Sequence, residues 1–139
     1  MKLTEHFDLS EMIHTNTGLL NVPNAIETEN LKQLCVNVLE PLRVLFGQPI
    51  KVNSGFRSKS VNTKIKGAAT SQHMKGEAAD ITSVNNSLLF KLIRDNFTFD
   101  QLIWEAGDDK QPAWVHVSYK QHGNRKEVLK MKNGKYFKM

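Results

Sequence analysis

Ser71-Gln72-His73-Met74-Lys75-Gly76-Glu77-Ala78-Ala79-Asp80 is a polar, glycine-containing loop that runs into a strand of small residues and ends on an acid. Such a loop folds back, so that His73 and Asp80 converge on one point while Ala78 and Ala79 let neighbouring backbone come close. A second histidine stands in Trp114-Val115-His116-Val117-Ser118-Tyr119. The two-residue period of a strand puts Trp114, His116 and Ser118 on one face and Val115, Val117 and Tyr119 on the other. The valines belong to a core, and His116 points away from it. Two imidazoles and a carboxylate suit Zn²⁺, and three protein ligands leave a fourth position open for water or substrate. A closed structural site draws on four ligands, commonly several cysteines, and this chain has the single Cys35, on a helix face that its pattern buries. A metal held by His73, Asp80 and His116 would therefore be catalytic, but on spacing alone a strand histidine is more often structural than a ligand, and both readings stand.

Around these segments the chain alternates helix and strand patterns. From Glu27 to Leu45, apolar residues at Leu31, Leu34, Cys35, Val38, Leu39, Leu42 and Leu45 recur at spacings of three and four and predict the longest helix. Pro41 lies inside it and predicts a kink or break near Glu40. A second helix is expected over Asn86 to Phe97, capped by Asn85 or Asn86, with Leu88, Leu89, Leu92 and Ile93 facing the core. Strands are expected at Ile50–Asn53, Ala78–Thr82, Gln101–Glu105 and Trp114–Tyr119. Leu9 to Ile13 reads as a short helix and Asn16 to Asn24 as loop. Asn133-Gly134, between two apolar-polar alternations, predicts a two-residue hairpin turn within residues 126–139. The expected fold is α+β: one domain over residues 1–139, an antiparallel sheet carrying the site and helices packed on one side.

Composition agrees. A chain of 139 residues, 40% apolar and 24% charged, fits one ordinary globular core. No stretch approaches the ~20 apolar residues of a membrane span, and Met1 to Asp8 has no apolar signal core. One cysteine excludes an internal disulfide. The net charge of +5 suits solubility, an anionic wall polymer or nucleic acid. Nucleic acid is disfavoured, since no basic stripe interleaved with aromatics is present. The chain is expected to act as a monomer.

Asn53-Ser54-Gly55-Phe56-Arg57-Ser58, then Ser71 to Ile81, then Trp114 to Ser118 resemble, in order and spacing, the zinc D-alanyl-D-alanine carboxypeptidase family. That family includes phage endolysins that cut peptidoglycan peptides, and its fold is shared with the Hedgehog signalling domain. The resemblance spans about Phe7 to Tyr119 and leaves the C-terminal hairpin outside. It implies zinc on His73, Asp80 and His116, and Arg57 on a substrate carboxylate or the developing oxyanion. It also implies Ser71 and Gln72 beside the first ligand; Trp114 is expected to wall the site. Read alone, Arg57 is a surface or salt-bridged residue and Trp114 a core one.

One position departs from the family pattern. Many members carry a catalytic carboxylate three residues before the second histidine, where this chain has Ala113. A proton must leave the attacking water and reach the leaving amine, so another acid is needed. Glu105, at the end of a strand expected beside that of His116, is the first choice; Asp108 and Asp109 come next, and Glu77 is expected to face water. His6, His14 and His122 receive no role. The expected activity is zinc-dependent hydrolysis of an amide bond in a peptidoglycan stem peptide, by a D,D-carboxypeptidase or endopeptidase. The resemblance also implies a phage or prophage product, made in the cytoplasm without a signal peptide and released to the wall or carried in a virion. The alternative is a non-catalytic wall-binding or virion structural module on the same fold.

Overall fold

The computed structural model describes residues 1–139. A short helix α1 (Leu9–Met12), closed by a capping box between Asp8 and Glu11, leads through loop to α2 (Ala25–Leu34), which opens with the same device between Asn24 and Glu27. The chain then stays helical to Phe46. Cys35–Leu39 is a π-helical turn and α3 (Glu40–Phe46) follows directly, with Pro41 in its first turn. Where a kink or break was expected near Glu40, the helix continues through this wider turn, in which the Glu40 amide donates to the Cys35 carbonyl five residues back. Pro41 lacks the donor that a regular α ladder needs there, and the extra residue accommodates it without ending the helix. The shift turns Leu45 outward, 51% exposed, and brings Phe46 against the core instead.

After Gly47 come β1 (Lys51–Ser54), α4 (Lys59–Lys64), a 3₁₀ turn at Gln72–Lys75, β2 (Ala78–Thr82) and α5 (Asn86–Asn96). Asn85 caps α5 by accepting from the Leu88 amide. Leu89, Phe90 and Ile93 are the buried apolar residues of this helix, and Leu88, expected inside, is 39% exposed. Phe90 takes its place because its ring meets Trp104 edge to face, centroids 5.3 Å apart. β3 (Gln101–Glu105), β4 (Trp114–Ser118), β5 (Glu127–Lys132) and β6 (Lys135–Lys138) complete the chain. Asn133 and Gly134 form the β5–β6 turn at φ of 52° and 74°.

The six strands form one sheet in the order β1-β2-β4-β3-β5-β6. It is antiparallel except between β3 and β5, which run parallel. The parallel pair arises because antiparallel β4 occupies one edge of β3 and ends beside the start of β3; the segment 119–126 crosses that end to the other edge, where β5 begins. Pairing aligns Ile81, Val115 and Trp104 on one face, and Asp80, His116, Ile103 and Leu129 on the other. The first face packs with Leu31, Leu34, Leu42, Leu89 and Ile93 of the helices into a single core. The second face is left to carry the site.

Candidate metal centre and cleft

Asp80 and His116 are direct cross-strand partners on β2 and β4, and His73 is brought to them by the 3₁₀ turn before β2. That turn starts at Ser71, whose hydroxyl accepts from the His73 amide, and ends at Gly76 with φ of 75°. The ligand atoms of His73, Asp80 and His116 all lie within 4.8 Å of one another. His73 Nε2 is 3.4 Å and His116 Nδ1 2.9 Å from the same oxygen, Asp80 Oδ1. A tetrahedron of ~2.05 Å metal bonds has edges of about 3.3 Å, so this spacing fits a zinc ion.

The surroundings orient each donor. His73 Nδ1 sits 2.7 Å from the Gly55 carbonyl, which only accepts; the ring proton is therefore on Nδ1 and the Nε2 lone pair faces Asp80. Burial lowers the His73 pKa, against the pull of Asp80, and favours the neutral imidazole that a metal needs. Arg57 donates from Nη2 to Asp80 Oδ2 at 3.1 Å, which leaves Oδ1 to the two histidines. Burial would raise the Asp80 pKa, but a proton added to the His73 ring, by its charge and by the hydrogen bonds the two rings then donate, outweighs it and holds the carboxyl well below the usual range. Arg57 Nε donates to Ser54 Oγ and its amide to the His73 carbonyl. The guanidinium is thus fixed, with Nη1 left for the cleft that Arg57 lines.

That cleft has a volume of about 710 Å³ and is lined by all three donors together with Glu105 and Trp114. Glu105 is opposite Trp114 in the β3–β4 register and 7% exposed. Glu105 Oε1 and Trp114 Nε1 are both buried without a hydrogen-bond partner. Buried polar groups are ordinarily satisfied, so an unpaired pair in a cleft marks a place built for something else. Burial raises the Glu105 pKa; the charge of His116 opposes this and the charge of Asp80 adds to it.

The other acids lie elsewhere. Asp108 accepts the amides of Lys110 and Gln111 in its turn, and Asp109 pairs with Lys130 on the surface. Glu77, expected in water, is half-buried but outside the cleft lining. Ser71 and Gln72 line the cleft, with the Gln72 amide held by Asp100. Among the histidines without a role, His6 is bound to Glu40 through its ring and its amide. Sequence reasoning missed Lys66, Arg125, Leu129 and Tyr136, which also line the cleft. Alternation within residues 126–139 was visible, but the strand beside which β5 lies was not.

Residues 5–118 match the family described as Peptidase M15. The chain belongs to that family. The zinc D-Ala-D-Ala carboxypeptidase of Streptomyces albus G is 48% identical over 44 residues, covering 31% of this chain and 17% of that protein. This chain therefore aligns with less than a fifth of that relative's length. No helix is long and apolar enough to cross a membrane.

Proposed function

We propose that this M15 peptidase is a zinc enzyme that hydrolyses an amide bond in peptidoglycan stem peptides, with an endolysin-like role in opening the wall. The observation that carries the reading is the triad itself: His73 Nε2, Asp80 Oδ1 and His116 Nδ1 converge beside an unpartnered buried carboxylate. These three residues would hold the ion. Zinc, when bound, acts as a Lewis acid, making a water acidic and polarising the scissile carbonyl. Glu105 takes the proton from the attacking water and passes it to the leaving amine; a pKa raised by burial brings it nearer the working pH of such a shuttle. Arg57, pre-set by Asp80 and Ser54, offers positive charge to the oxyanion or to a substrate carboxylate without reorganising. The substrate class is supported by the Streptomyces relative, whose name specifies D-Ala-D-Ala.

Mass spectrometry of a stem pentapeptide ending in D-Ala-D-Ala, and of purified peptidoglycan, after incubation with the protein tests this directly. The expected result is a defined cleavage product that disappears with chelator and returns with Zn²⁺; the fragment's mass names the bond. Zinc-loaded protein that leaves both substrates intact would reduce the molecule to a binding module.

A further inference from the structure

The family match ends at residue 118, yet the cleft does not. β5 pairs with β3 so that Leu129 stands beside Ile103 and Met131 beside Glu105, and β6 then sets Tyr136 beside Met131. Trp114, Glu105, Met131 and Tyr136 thus form one row across four strands, with Tyr136 about 10 Å from Glu105 at ~4.8 Å per strand. Leu129 and Tyr136 line the same cleft as the triad. The Tyr136 phenol pKa is raised by partial burial first, then by the charges of Glu105 and Asp80, so the ring shares the field of the catalytic carboxylates. At 58% exposure Tyr136 contributes little to the core, and an accessible aromatic lining a cleft offers a flat, amphipathic contact surface to a ligand.

We propose that the β5–β6 hairpin is a specificity wall, on which Leu129 and Tyr136 hold the part of a stem peptide lying beyond the scissile bond. The inference rests on the reading of the cleft as a stem-peptide hydrolase. A volume of about 710 Å³ falls in the range that encloses a drug-sized ligand, room for a peptide of several residues. Lys66, an exposed residue that lines the cleft, adds positive charge suited to a peptide bearing carboxylates, whereas Arg125 beside it is already paired with Asp100. The hairpin therefore selects for length, through contacts made two strands away from the chemistry.

The test uses zinc-loaded full-length protein, a stem pentapeptide ending in D-Ala-D-Ala and the tripeptide that retains only its C-terminal end. Dissociation constants come from tryptophan fluorescence, and KM and kcat from product release. Tyr136→Ala is expected to raise Kd and KM for the pentapeptide about tenfold, the scale of one lost aromatic contact, with kcat and zinc content little moved and a smaller effect on the tripeptide. Tyr136→Phe should retain most of the affinity. Phe137→Ala, on the opposite face of β6 and 53% exposed, is the control and should match the parent. Parental affinity for the pentapeptide in Tyr136→Ala, or an equal loss in Phe137→Ala, overturns the wall. A parent that binds the pentapeptide without cleaving it overturns the hydrolase reading, and Kd alone then decides for or against the wall; a parent that binds neither peptide overturns both.

Discussion

Glu105 differs from every other acid near the site in one respect: its carboxylate has been taken out of water and given no hydrogen bond on Oε1. Asp108 is occupied in capping a turn, and Asp109, 83% exposed along its side chain, makes a surface ion pair of the kind worth at most ~1 kcal/mol. Glu105→Gln preserves size and removes only proton transfer. It should fold and bind zinc as the parent does while losing ~10²–10⁴ in kcat, with Asp108→Asn and Asp109→Asn near parental. Parental turnover in Glu105→Gln would assign the proton shuttle to another group. The histidines separate in the same way. His116 faces Asp80 Oδ1 at 2.9 Å, whereas His122 lies exposed in the segment after β4. His116→Ala should lose zinc and activity together and His122→Ala neither, as read by elemental analysis and product release; equal effects would mean that the wrong imidazole had been chosen.

The elements behind the donors are held by close backbone approaches, and Gly55 makes one of them. A Cβ there would stand 2.4 Å from the Met12 carbonyl oxygen, the same carbonyl that accepts from the Phe56 amide at 2.7 Å, while the Gly55 carbonyl holds the His73 ring. Gly55→Ala must push β1 from α1 and tilt His73. It should cost ~1–3 kcal/mol in thermal or denaturant unfolding. It should also weaken zinc ~10–100-fold in chelator competition, the usual scale for disturbing a group behind a metal ligand. Gly47→Ala is the contrast: φ of 75° strains it, but nothing lies within 4 Å of its Cβ, so stability should fall and zinc affinity stay. Loss of zinc affinity in both would detach the effect from His73. The strands at Ala78–Thr82 and Gln101–Glu105 were legible with their exact bounds because short runs of apolar or small residues bounded by polar ones are local signals. The three donors were legible for a similar reason: the alternation of its strand turned His116 away from the valines, and the polar loop Ser71–Glu77 running into a small-residue strand paired His73 with Asp80. The β3–β5 pairing, the π turn before Pro41 and the Arg57–Asp80 contact were not, since each depends on which distant segment arrives alongside, and the period of one strand or helix carries no record of its neighbour.

At the scale of the molecule, Asp100 is the knot between the ligand turn and the hairpin wall. Its side chain is fully buried, accepts from Arg125 Nε and Nη2 at 3.0 and 2.8 Å and from the Arg125 amide at 3.1 Å, and also takes the Gln72 amide at 3.1 Å. Its own amide and carbonyl tie β4 to the start of β5 through Ser118 and Glu127. Burial would raise the Asp100 pKa, but the hydrogen bonds and charge of Arg125, with Lys120, lower it from 3.8 to about 2. A folded-state pKa below the unfolded one means stability that is present above pH ~4 and lost as pH falls through about 2. At ~1.4 kcal/mol per pH unit the contribution at neutral pH is about 2 kcal/mol. Asp100→Asn should therefore be less stable than the parent by at least that amount at pH 7, where it also leaves Arg125 without its counter-charge. The gap should narrow steadily between pH 4 and 2 as the parental carboxylate is protonated. Denaturant unfolding of both proteins in chelator, so that metal release and the shared titration of Asp80 cancel in the difference, reads this directly. A gap that stays constant from pH 7 to 2 would place the loss in packing around Asp100 and take the acid limb of stability away from this ion pair.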